Sequence, residues 1–117
     1  MKSIPEIHLK GWGRELWIAN NENYCGKILQ FKKGMRCSFH FHRLKSETFF
    51  CSKGKIVIHY SYEDDLEKAK SLILNEGEYF DVPVGMRHQM RALEDTDLFE
   101  FSTEHFETDS YRIVKGD

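Results

Sequence analysis

Aromatic and β-branched residues gather along the chain in short runs, at residues 16–19, 24–31, 36–42, 47–52, 55–62, 71–74, 79–82, 88–93 and 98–103. Runs of this length and composition, bounded by turn residues, predict strands, and their even spacing predicts an all-β sandwich or barrel. Between them Lys32-Lys33-Gly34, Lys53-Gly54, Asn75-Glu76-Gly77 and Val84-Gly85 place glycine where a tight turn needs positive φ. Helix is expected only at 63–70, where Glu63, Asp64 and Asp65 precede Lys68 and Lys70. A turn or two of helix and a charged hairpin loop fit that segment equally.

The 117 residues suit one domain, 1–117, with a barrel core at about 24–103, an N-terminal arm 1–23 and a C-terminal tail 104–117. Nine phenylalanines can fill a small β interior. A formal charge of −2 provides no field to draw a nucleic acid or an anionic membrane, and neither is expected as a partner. Cys25, Cys37 and Cys51 are an odd number without close metal-type spacing, which suits buried, reduced thiols. No apolar run approaches a signal core or a membrane span, so a cytoplasmic protein is expected.

Residues two apart in a strand share a face, so His40 and His42 look one way while Phe39 and Phe41 look the other. Glu47, past the 43–46 turn, can begin an adjacent strand and add an oxygen ligand, and His88 could add a fourth ligand from a distant strand. Three imidazoles and a carboxylate suit one divalent ion of the Zn, Mn, Fe, Ni or Co type and leave positions open for water or substrate.

With these residues the chain resembles the cupin superfamily. Its first motif, Gly-X5-His-X-His-X4-Glu-X6-Gly, is matched by Gly34, His40, His42, Glu47 and Gly54. The second, Gly-X5-Pro-X-Gly-X2-His-X3-Asn, is matched by Gly77, Pro83, Gly85 and His88, with Ala92 in place of Asn. The resemblance implies a double-stranded β-helix, or jelly roll, with one metal ion in a mouth of the barrel held by His40, His42, Glu47 and His88. It also implies a homodimer, for which residues 4–17 are natural contacts. Gly11-Trp12-Gly13-Arg14-Glu15 and the stretch from Glu100 to Arg112 are similar to the flanks of the C-terminal cupin of type II mannose-6-phosphate isomerases.

That likeness implies a small carbohydrate substrate and a sugar or sugar-phosphate isomerase, with Glu47 as ligand and catalytic base in turn, or Glu100 or Glu104 in its stead. The same ligand set also suits an iron-dependent dioxygenase, and a lone small cupin suits a non-catalytic sugar-binding or regulatory module. Phosphate recognition would need cations such as Arg36, Lys45, Arg87 and Arg91, whose ordinary role is as surface charge. His8, His59 and His105 are expected as surface or packing residues, Cys51 as a buried thiol on the metal-facing side of its strand, and the phenylalanines as core or dimer contacts.

Overall fold

A computed structural model describes residues 1–117 as eleven strands and one turn of 3₁₀ helix. The strands are β1 (Glu6–Lys10), β2 (Gly13–Asn20), β3 (Cys25–Phe31), β4 (Phe39–Phe41), β5 (Glu47–Lys53), β6 (Lys55–Ser61), β7 (Lys70–Asn75), β8 (Tyr79–Val82), β9 (Arg87–Ala92), β10 (Thr96–Ser102) and β11 (Tyr111–Val114). They form two antiparallel sheets, one ordered β1-β2-β3-β10-β5-β8 and the other β11-β4-β9-β6-β7. This is the all-β barrel that the spacing of the runs predicts. No helix is long and apolar enough to cross a membrane.

Strict alternation of buried and half-buried residues in β3 and β5 shows one face of each strand turned to the interior. Leu29, Phe31, Phe49, Cys51, Ile56, Ile58, Met90 and Leu98 meet there in one apolar cluster. The same inward rows turn polar toward one end of the barrel. On β5 the order is Glu47, Phe49, Cys51, and on β3 it is Lys27, Leu29, Phe31, with Lys27 directly opposite Glu100 of β10. The chain therefore builds an apolar floor and a charged mouth from the same strands.

The turn glycines 34, 54, 77 and 85 all take positive φ, between +84° and +94°. At Gly54 the requirement is doubled, because a Cβ would also lie 2.4 Å from the Asp95 carbonyl oxygen and 2.8 Å from Thr96 Cα. Segment 63–70 combines both expectations: it is a hairpin connection that carries one 3₁₀ turn, Leu66–Lys68, started by Asp65 accepting from the Glu67 N–H. Two strands escape the sequence pattern. β1 is a mostly exposed edge strand, and β11 is a short strand whose only partner is β4.

Candidate metal centre

The strand at 36–42 is shorter than its sequence run, with β4 limited to Phe39–Phe41 and a single bridge from Arg36 to Arg91. His40 lies on it directly opposite His88 of β9. His42 follows its end, where its carbonyl accepts the Gly85 N–H at 2.9 Å and so ties the second motif's turn to the first motif's strand. The ligand atoms of His40, His42 and His88 all lie within 4.8 Å of one another. Glu47, the first residue of β5, places Oε1 3.3 Å from His42 Nε2 and Oε2 3.2 Å from His88 Nε2.

Each imidazole is oriented from behind by a main-chain carbonyl. Nδ1 reaches the oxygen of Ser38 at 2.9 Å from His40, of Asp109 at 2.6 Å from His42 and of Met86 at 3.1 Å from His88. A carbonyl only accepts, so Nδ1 carries the proton and Nε2 presents its lone pair to the mouth, as in metal sites generally. At His88 the consequence is specific: Nε2 and Glu47 Oε2 are both buried and make no hydrogen bond. Two buried acceptors 3.2 Å apart call for a cation beside both. The donor set of nitrogen and carboxylate oxygen fits a borderline divalent ion, and the histidine group could hold one.

The electrostatics agree. Burial and the neighbouring His88 and His42 hold His40 well below the ordinary imidazole range, in the neutral form a metal needs. Burial would raise Glu47, but His42 and Lys45 override it and hold the carboxyl well below its usual range. Burial pulls His42 down, yet the Glu47 carboxylate beside it outweighs burial and raises it.

Behind Glu47 lies a buried lysine. Lys45, 3% exposed, reaches Glu47 Oε1 at 3.0 Å, Glu100 Oε2 at 3.1 Å and His105 Nδ1 at 2.8 Å. An ammonium has three protons and all three have acceptors. Because it can only donate, His105 must accept at Nδ1 and keep its own proton on Nε2. Burial, with the charges of Lys45 and Lys27, lowers His105 to about 3. Burial and the charge of Glu47 raise Glu100, against the pull of Lys45 and Lys27. The 43–45 loop is itself fixed by Asp109, 2% exposed, whose carboxylate accepts the N–H groups of Arg43, Leu44 and Lys45 at 2.8 to 3.2 Å.

A cavity of about 720 Å³ opens over this cluster and runs on past Lys27, Glu100, His105 and Arg112. Of the two substitute bases, Glu100 lines it and Glu104 does not. Cys51 shares Glu47's face of β5 but lies deeper, its thiol directed at the Lys53 and Gly54 carbonyls. Arg36, Arg87 and Arg91 stay outside the cavity, Arg87 packing on Phe41 at 3.7 Å and pairing with Asp64 at 2.7 Å. His8 stacks on Trp17 at 3.9 Å, while His105 goes beyond a packing role and lines the cavity. Ala92 is fully buried in the apolar cluster. The sequence does not mark Lys27, and it offers Asp109 and Arg112 only as part of the 100–112 flank, since their contributions depend on contacts between segments distant in the chain.

Solved structures place this architecture. CapF, a capsular polysaccharide assembling protein of Staphylococcus aureus, superposes with a TM-score of 0.81 at 23% identity over 95% of this chain. Oxalate decarboxylase of Bacillus subtilis gives 0.78 at 18% identity over 92% of it. KdgF of a Halomonas species gives 0.74 at 14% over 88%. The chain adopts the cupin fold. It spans about a third of the length of CapF (33%) and of oxalate decarboxylase (30%), but 91% of KdgF. No protein-family model and no curated protein sequence matches this chain.

Proposed function

We propose that the protein is a metal-dependent cupin enzyme, an isomerase that interconverts aldose and ketose forms of a sugar or sugar phosphate. The observation that carries this reading is the pairing of the histidine group with a second, acid-base-capable carboxylate, Glu100, on the wall of the same polar cavity. A divalent ion held by His40, His42, His88 and Glu47 would supply polarisation of adjacent carbonyl and hydroxyl oxygens. The chain's own residues handle the proton. Glu47, held low and engaged by Lys45, is a weak base and serves as ligand. Glu100, raised by burial, is tuned toward the range in which a carboxyl both takes and returns a proton. Lys45 and Ser102 Oγ, each 3.1 Å from Glu100 Oε2, hold its carboxylate in place.

The size and polarity of the cavity support a monosaccharide-sized ligand, and CapF is named for polysaccharide assembly. The same reading takes the protein as a homodimer, supported by Ile4, Ile7, Leu9 and Ile18, which stand exposed along the N-terminal arm. The test is incubation of metal-loaded protein in D₂O with aldoses, ketoses and their phosphates, followed by NMR. Deuterium should enter at the carbon next to the carbonyl, and Glu100→Gln should abolish exchange while keeping the metal. Absence of exchange and interconversion with every sugar would defeat the reading, and oxygen uptake with a small organic substrate would replace it with a dioxygenase.

A further inference from the structure

We infer that the β11 side of the cavity is an anion subsite, with Arg112 as its main donor and Lys115 beside it, so that the ligand carries a phosphate or a carboxylate. The inference shares with the proposed function the assumption that this cavity takes the ligand, and it does not need the isomerase chemistry. It starts from a comparison of the cationic side chains lining the cavity. Lys45 is saturated by Glu47, Glu100 and His105. Lys27 lies 4.1 Å over the Trp17 ring and 3.8 Å from Glu15, and Lys10 lies 4.0 Å from the same carboxylate. Arg112 and Lys115 also line the cavity, yet neither has a carboxylate within ion-pair distance, a side-chain hydrogen bond or an aromatic face.

Strand pairing aims the guanidinium. Arg112 lies opposite His40 in the antiparallel β11–β4 pair, and opposite residues of such a pair project from the same face of the sheet. The outer face of β11 is already held, since Tyr111 stacks on Phe41 at 5.2 Å and Arg43 covers the Tyr111 ring at 4.2 Å. Asp109, buried at the entrance to the strand, fixes its start. The side chain thus extends from an anchored backbone, beside a candidate metal ligand, into open cavity. Of the other acids lining the cavity, Asp117 accepts the Arg36 N–H at 2.9 Å and Glu107 lies 3.7 Å from His105 Nε2, and neither pairs with Arg112 or Lys115. A planar guanidinium with all its donors free matches the two oxygens of a carboxylate or phosphate. Anion recognition therefore falls to residues other than Arg36, Lys45, Arg87 and Arg91, which the sequence offered.

The experiment is calorimetric titration of the metal-loaded parent, Arg112→Gln and Arg112→Lys with mannose 6-phosphate, mannonate, inorganic phosphate and neutral mannose. The parent should bind at least one anionic probe more tightly than mannose, and the phosphate and carboxylate arms tell the two chemistries apart. Arg112→Gln should weaken that probe about tenfold or more, Arg112→Lys should restore part of the loss, and mannose affinity and metal content should not change. Equal binding of anions by parent and Arg112→Gln, or no preference of the parent for any anion over mannose, overturns the subsite. Anion binding that depends on Arg112 in a protein without isomerase turnover would uphold the subsite and remove the isomerase reading alone.

Discussion

Lys45→Met tests the charged mouth of the barrel most severely. The substitution keeps the length of the side chain and removes an ammonium that satisfies Glu47, Glu100 and His105 at 2.8 to 3.1 Å. Both carboxylates remain buried without their shared cation, and breaking a buried pair in this way costs about 3–5 kcal/mol. Unfolding entropy of about 2.1 cal/mol/K per residue over this chain makes each kcal/mol worth about 4 °C, so the metal-free variant should melt about 12–20 °C lower at pH 7. Thermal circular dichroism of parent and variant, with the exposed Lys32→Met as control, measures it. The deficit should shrink toward pH 5, because unpaired buried carboxylates protonate, and Lys45→Met/Glu100→Gln should recover part of it. A fall of less than about 4 °C at pH 7, or one no larger than that of Lys32→Met, would refute the clamp.

Three further outcomes follow from burial and backbone geometry. Burial pushes Cys37 up to about 12 and raises Cys25 and Cys51 as well, so none of the three thiols should react with an alkylating reagent at pH 8 until the protein is denatured; labelling of the native chain would contradict this. Folding holds His40 well below 6.5 and His105 at about 3, so below pH 6.5 the unfolded chain binds more protons and the metal-free protein should lose stability toward pH 4. Glu47, depressed below 4.5, adds to that loss under pH 4.5, while His42, raised by folding, opposes it; a melting temperature that is flat or rises from pH 7 to pH 4 would reverse the balance. Gly54→Ala should cost more than about 2 kcal/mol by urea denaturation, whereas Gly26→Ala, with nothing within 4 Å of its Cβ, should be near neutral; similar costs for the two would contradict the turn geometry.

Much of this was legible because it is local. Period-two burial in β3, β5 and β10, the positive-φ glycines and the spacing of His40, His42, Glu47 and His88 all follow from short stretches of chain. What escaped depends on pairing across the fold. β1 buries little of its surface, and so lacks the alternation by which a strand announces itself. β11 becomes a strand only because β4 is there to receive it. A lysine in a turn such as 43–46 ordinarily points to solvent; Lys45 is buried because Glu100, 55 residues away, waits on β10. Asp109 is likewise an unremarkable tail acid until its oxygens meet the main chain of the 43–45 loop.

The most direct measurement is elemental analysis of tag-free protein, as purified and after loading, for the parent, His42→Ala and His88→Ala. One divalent ion per chain in the parent, falling below about a tenth of that in both variants, is expected if Nε2 of His88 and Oε2 of Glu47 share a cation. A parent that holds no ion even after loading, or variants that retain as much metal as the parent, would contradict the metal centre.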